Sequence, residues 1–202
     1  VRVGFFGGSF DPPHLGHVAI ARAAAETFAL ETVFFAPTGL QPLKPEGASA
    51  SFSDRLTMTA LACGEDARFA VSNVDAPMAD GRPNYTARTL GLLSEMLPEA
   101  ELFAVIGADS FQQFAEWREP YRLLAQAQWI VISRPGFALE APRGLALTAA
   151  QRERIHLLDA VHADVAASSL RLRLAAGDAC EDLLPGPVSR YIQMNGLYGF
   201  AK

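Results

Sequence analysis

A short apolar run, Val1 to Phe6, leads into Gly7-Gly8-Ser9-Phe10-Asp11-Pro12-Pro13-His14-Leu15-Gly16-His17. The chain then continues as Val18-Ala19-Ile20-Ala21-Arg22-Ala23-Ala24-Ala25, a strong helix former. This order predicts a strand that delivers a glycine loop to a helix N-terminus. Gly7 and Gly8 permit positive φ and close backbone approach to a ligand, while the free amides and positive dipole end of a starting helix favour phosphate. His14 and His17 are three residues apart, so both imidazoles share one face of the first turn if the helix has begun by His14. On this stretch alone a plainer reading stays open, in which the glycines only turn the chain and the histidines only cap the helix. Paired histidines also suit a transition metal, but no Cys or third His stands nearby, and zinc sites usually take three or four protein ligands.

Apolar runs and helical patterns go on alternating along the chain. Strands are predicted at 1–6, 32–36, 70–74, 102–106, 129–133 and 155–158, and helices at 17–28, 53–62, 85–96, 110–117, 120–125, 168–175 and 187–194. The alternation predicts an α/β fold: a Rossmann-like, doubly wound, mainly parallel sheet with helices on both faces and a small helical C-terminal part, one domain over 1–202. Ligands of such sheets bind beyond the carboxyl ends of the strands, where Gly7, Pro37, Gly107 and Arg134 fall. Residues 38–53 carry Gly39, Pro42, Pro45 and Gly47 and read as a long mobile loop suited to substrate gating. Residues 136–151 show no clear regular pattern.

At 202 residues, half of them hydrophobic, the chain can bury a sizeable core. Its net charge of −5, with scattered Lys and Arg, supplies no electrostatic footprint for nucleic acid. Cys63 and Cys180 stand far apart, which speaks against a disulfide framework or zinc ribbon. No apolar stretch approaches the roughly 18 residues of a membrane span, and Val1 to Phe6 is too short for a signal-peptide core. The expectation is a soluble cytoplasmic protein without nucleic-acid or membrane partners.

The stretch Gly7 to His17 resembles the GGSFDPxHxGH motif of the HxGH nucleotidyltransferase superfamily, in particular the bacterial nicotinate mononucleotide adenylyltransferases. Asn84 to Leu90 resembles that family's xYTxxTL, Gly107-Ala108-Asp109 with Trp117 its GADxxxxxxxW, Arg134-Pro135-Gly136 its RPG turn, and Val188 to Tyr198 its closing VxxYIxxxxLY. There are departures. The family's ISSTxxR aligns with Val165 to Arg171, where Ala166 and Ala167 replace serines while Ser168 and Arg171 remain; backbone amides survive such changes, so weaker ATP contact is expected rather than loss of function. In the loop, the family's PPHK becomes Gln41-Pro42-Leu43-Lys44.

The resemblance implies adenylyl transfer from ATP to nicotinate mononucleotide, with Mg²⁺ bound mainly through ATP phosphates, and it leaves self-association open. It assigns catalysis to His14 and His17. ATP would be bound by the backbone of Gly7, Gly8, Ser9 and Phe10 together with Gly107, Asp109, Arg134, Ser168 and Arg171. The mononucleotide would be bound by Lys44, Tyr85, Thr86 and Trp117. Several of these have plainer readings on residue type alone: Asp109 as a helix N-cap, Arg134 as a surface charge, Trp117 as core, Lys44 as a solvated loop lysine. If Tyr85-Thr86 opens a helix, its amides favour a carboxylate over a carboxamide, and Trp117 offers a flat face to a pyridine ring. His156, His162 and Cys63 stand in no motif and read as structural. Rival readings are a phosphopantetheine-type adenylyltransferase or a cytidylyltransferase sharing the HxGH chemistry, and a nucleotide-binding module without turnover.

Overall fold

The computed structural model describes residues 1–43, 46–64, 66–133, 141–159 and 165–200. Strands β1 (Arg2–Gly8), β2 (Thr32–Pro37), β3 (Phe69–Val71), β4 (Glu101–Gly107), β5 (Gln128–Ile132) and β6 (Ile155–Leu158) form a six-stranded sheet ordered 3-2-1-4-5-6, and all five pairings are parallel. Between them run α1 (Leu15–Phe28), α2 (Phe52–Cys63), α3 (Thr86–Met96), α4 (Ala108–Gln112), α5 (Pro120–Gln126) and α6 (Ala149–Arg152). Helices α7 (Ala167–Ala175) and α8 (Gly186–Asn195) follow. This is the expected Rossmann-like fold.

Each central strand feeds two cores because its side chains alternate. Val3, Phe5, Leu102, Ala104, Ile106, Trp129 and Val131 face one side and pack with Leu90, Leu93, Phe111 and Leu124. Phe6, Phe103, Val105 and Ile130 face the other and pack with Ala21, Ala24 and Ala25 of α1. Burial on both faces is why these strands read as continuous apolar runs. A third cluster, with Met58, Leu170, Leu174, Val188 and Ile192, joins α2 to α7 and α8 and forms the helical C-terminal part.

Three local differences from the sequence reading have physical causes. The helix expected at 110–117 ends at Gln112 and a 3₁₀ turn spans Phe114–Glu116. That turn brings residues i and i+3 into line, so Phe114 stacks on Trp117 at 5.3 Å between ring centroids. Strand β3 stops at Val71 because the Ser72 hydroxyl accepts the Val74 amide at 3.2 Å, a local bond that competes with the ladder. Helix α6 lies in the stretch without a clear regular pattern, and a reciprocal capping box between Thr148 and Gln151, with T-x-x-Q spacing, starts it.

The strand order creates the site. From β1 the chain steps outward through β2 and β3, then returns to β4 on the other side of β1. The connections leaving β1 and β4 therefore diverge, and a crevice opens beyond Gly8 and Gly107.

Candidate active site

At the carboxyl end of β1, Phe10 turns back at φ 46° and buries its ring against Phe6 and Phe35. Only its backbone remains for a ligand; beside it, Gly7 lines the adjoining cleft, while the Gly8 and Ser9 carbonyls already accept the Thr38 amide and Arg55. Helix α1 begins at Leu15, one residue later than a shared first turn would need, and His14 is its extended N-cap. The two imidazoles nevertheless stack, 3.6 Å between centroids and 26° between planes. The His14 amide lies 3.2 Å from His17 Nδ1. An amide can only donate, so Nδ1 accepts, and the neutral His17 ring carries its proton on Nε2.

Burial lowers the His14 pKa to about 4 and holds His17 well below its ordinary value, with repulsion from His14 adding to the second shift. Both rings are therefore neutral near pH 7. His14 Nδ1 is buried without a hydrogen-bond partner, a polar atom that a ligand can satisfy. Of the first-turn amides, that of Leu15 is already spent on the Leu183 carbonyl at 2.9 Å.

The shift has a consequence for stability. The unfolded His14 takes up its proton near its ordinary pKa of 6.5, while the folded residue stays neutral until about 4. Stability is thus full above pH 6.5 and declines as pH falls toward 4; at pH 5 the loss from His14 alone is about 2 kcal/mol. Thermal melting at pH 7 and pH 5 should show a smaller acid-induced decrease for His14→Asn than for the unsubstituted protein. An identical decrease would remove His14 from the acid response.

Behind the motif lies a buried polar hub that the sequence reading did not mark. Asp11 accepts the Ser49 amide at 2.7 Å, the Ala50 amide at 3.0 Å and the Tyr198 hydroxyl at 2.8 Å. Burial and the nearby Asp11 charge raise the Tyr198 pKa, so that hydroxyl keeps its proton. Arg55, only 2% exposed, donates through Nη1 to the carbonyls of Ser9 and Thr38 and through Nε to that of Ala50. Arg171 donates through Nη1 to the Asp11 carbonyl at 2.8 Å and stands 3.8 Å from the Asp11 carboxylate. Residues distant in sequence thus lock β1, α2, α7 and the C-terminal segment together. Asp11 lies in the motif and Tyr198 in the closing block, but Arg55 carried no sequence signal.

Helix α7 brings its start to the same side. Ala166 is its N-cap and supplies no side-chain cap, so the first amides are left to solvent or a ligand. Ser168 is exposed in the first turn. The substitution noted in the sequence therefore falls at the position where a serine would have capped the helix.

Next to the motif, the crevice deepens into a cleft of about 270 Å³. It is lined by Gly7 and Gly107 at the strand ends, by Tyr85 and Thr86 at the start of α3, and by Trp117. Tyr85 is the N-cap of α3, as expected, so the amides of Thr86 and Ala87 precede the helical ladder. Trp117 packs one face on Phe114 and lines the cleft. Asp109 is not the N-cap of α4; Gly107 holds that position and Asp109 lies exposed in the first turn beyond β4. The cleft lining does not include His14, His17, Asp109, Ser168 or Arg171; it includes Phe6, whose ring meets that of His17 at 5.8 Å between centroids. Lys44 and Arg134 lie outside the described residues.

One wall of the cleft is a second network. Asp75, 5% exposed, accepts the Thr89 hydroxyl at 2.6 Å. Asn84 donates to the Asp75 and Ala76 carbonyls and accepts the Leu40 amide at 3.0 Å. Burial raises the Asp75 pKa against the pull of these bonds. Gly39 threads through the network, where a Cβ would lie 2.5 Å from the Pro77 nitrogen and 2.6 Å from Asn84 Oδ1. The segment read as a mobile loop is therefore tied at both ends, at 39–40 to Asp75 and Asn84 and at 49–50 to Asp11. Among the described residues no group of three or more His, Cys, Asp or Glu is arranged to hold a metal, and no helix is long and apolar enough to cross a membrane.

The cytidylyltransferase-like family model matches residues 5–173. A probable nicotinate-nucleotide adenylyltransferase of Roseiflexus sp. (strain RS-1) is 37% identical over 97% of this chain and 97% of its own. One from Neisseria meningitidis serogroup B is 38% identical over 98% of each. Among solved structures, Plasmodium falciparum nicotinic acid mononucleotide adenylyltransferase complexed with APC is similar in fold, with a TM-score of 0.76 over 99% of this chain and 98% of that one at 15% identity.

Proposed function

Since this chain belongs to the nicotinate-nucleotide adenylyltransferase family, we propose that it transfers the adenylyl group of ATP to nicotinate mononucleotide, yielding nicotinate adenine dinucleotide and pyrophosphate in NAD biosynthesis. The observation that carries the reading is the neutral histidine stack at the start of α1, its His17 proton fixed on Nε2, beside a cleft that ends at free helix amides.

The attacking group is an ionised phosphate, so no general base and no covalent intermediate are required. A mononucleotide phosphate oxygen forms the new bond to the α-phosphorus of ATP while the bond to the α–β bridging oxygen breaks, and pyrophosphate leaves in line. The protein's work is positioning and charge stabilisation. His17 donates from Nε2 to an α-phosphate oxygen and His14 shares that work. Gly7, Gly8, Ser9 and Phe10 offer backbone contacts, Ser168 and Arg171 receive the distal phosphates, and Gly107, Asp109 and Arg134 bound the nucleoside end. At the acceptor end, the α3 amides receive the pyridine carboxylate, Trp117 stacks on the ring and Lys44 reaches the mononucleotide phosphate.

The donor set suits Mg²⁺ held by phosphate oxygens and water better than by a protein cage, since Asp11, the carboxylate of the motif, is already engaged by two amides and a hydroxyl. The ion would neutralise the triphosphate and help pyrophosphate depart. The cytoplasm is the compartment we assign to the reaction, in keeping with Cys63 and Cys180, both free and buried.

A paired assay tests the function. With ATP and Mg²⁺, dinucleotide should form from nicotinate mononucleotide with a higher kcat/KM than from nicotinamide mononucleotide. Turnover of neither rejects the enzyme, and equal values reject the carboxylate argument.

A further inference from the structure

Trp117 ends the 3₁₀ turn in an extended conformation, and Glu119, at φ 57°, turns the chain into Pro120 and α5. Arg118 stands between these two turns. While the Trp117 ring packs against Phe114, the Arg118 guanidinium carbon lies 4.8 Å from the centroid of the Tyr85 ring. A guanidinium on an aromatic face keeps the N–H groups at its edge available to an anion. Tyr85 is the N-cap of α3, so this cation stands at the corner of the cleft where the Thr86 and Ala87 amides begin the helix.

The charges around that corner are uneven. Among the described residues lining the cleft, the charged ones are Asp75, Glu116 and Arg118. Two are acidic, and Asp75 is already engaged by Thr89 and Asn84. Among the described residues lining the cleft, a ligand carboxylate entering here meets a single cation, Arg118. Arg118 forms no ion pair with another described residue, in contrast to Arg122, which pairs with Glu119 on the same segment.

We propose that Arg118 is a specificity-determining residue, its guanidinium poised over Tyr85 to pair with the pyridine carboxylate that the α3 amides receive. The inference rests on the acceptor being nicotinate mononucleotide. The helix amides discriminate by dipole and hydrogen bonding, and Arg118 adds a full charge that a neutral carboxamide cannot use. Because Arg118 is exposed, its effect is to tune selectivity rather than to make binding possible.

The test compares the unsubstituted protein with Arg118→Gln and Arg118→Lys. For each, kcat/KM is measured with nicotinate and with nicotinamide mononucleotide at saturating ATP and Mg²⁺, alongside calorimetric binding of both mononucleotides. Arg118→Gln should lower the nicotinate-to-nicotinamide ratio about tenfold, the scale of one hydrogen bond to a charged group. The loss should fall on the nicotinate substrate alone, with the KM for ATP and the melting temperature unchanged. Arg118→Lys should recover part of the ratio, since it keeps the charge without the planar fork. An unchanged ratio, or an equal loss with both substrates as a phosphate contact would give, overturns the proposal. Should the protein turn over neither substrate, Arg118→Gln weakening the binding of nicotinate but not of nicotinamide mononucleotide would uphold Arg118 and reject the catalytic reading instead.

Discussion

His17→Ala should lower kcat by a hundredfold or more while changing the KM for ATP by less than about threefold, the pattern expected when a preorganised donor acts mainly on transition-state charge. Negative charge on the α-phosphate oxygens and the departing bridge peaks in the transition state. A neutral imidazole with its proton fixed on Nε2 needs no reorganisation to meet it. The His14 amide fixes that tautomer at 3.2 Å, and the stacked His14 ring limits the tilt of His17. His17→Asn should retain part of the rate, because a carboxamide can accept the His14 amide with its oxygen and donate to phosphate with its nitrogen. Steady-state kinetics on both variants, with melting temperatures as a control for folding, checks this. A near-normal kcat for His17→Ala would reassign His17 to structure.

The second large effect is expected at Asp11. Asp11→Ala removes the acceptor of two amides and the Tyr198 hydroxyl, and it leaves buried Arg55 and partly buried Arg171 without their nearest negative charge. Breaking a buried charged network from one side costs about 3 kcal/mol or more. In a chain of this length that corresponds to a fall of about 6–12 °C in Tm. The KM for ATP should rise as well, because Arg171 loses the carboxylate 3.8 Å away and is left with only its bond to the residue 11 carbonyl. Asp11→Asn keeps the shape and one acceptor oxygen, enough for the Ala50 amide and the Tyr198 hydroxyl but not for the Ser49 amide on the other oxygen, and should lose less stability than Asp11→Ala. A decrease below about 2 °C for Asp11→Ala would show that the hub is not what joins α7 and the C-terminal segment to the motif.

The features legible in the sequence are those with local causes. Leu102 to Ile106 reads as a buried strand because both of its faces are covered, and Tyr85-Thr86 reads as a helix start because an amphipathic pattern follows it. The glycines, His14 and His17 stand in one contiguous stretch whose spacing carries their meaning. Arg55, Asp75 and Asn84 could not be singled out in the same way. Their partners are distant: Arg55 meets Ser9 and Thr38, and Asn84 meets Leu40 and Asp75. Only the 3-2-1-4-5-6 strand order brings them together. The break at Gln113 was hidden for another reason. Helical periodicity continues through Phe114 and Trp117, and packing of those rings against Trp129 decides in favour of the tighter turn.

The proposed reaction moves the adenylyl group of ATP directly onto nicotinate mononucleotide. ATP labelled at the α-phosphate, incubated with the protein, Mg²⁺ and nicotinate mononucleotide, tests it most directly when the label and the released pyrophosphate are counted together. Label is expected in nicotinate adenine dinucleotide, with one pyrophosphate released for each dinucleotide and no label bound covalently to the protein. Label retained on a side chain, or pyrophosphate released without dinucleotide, would contradict it.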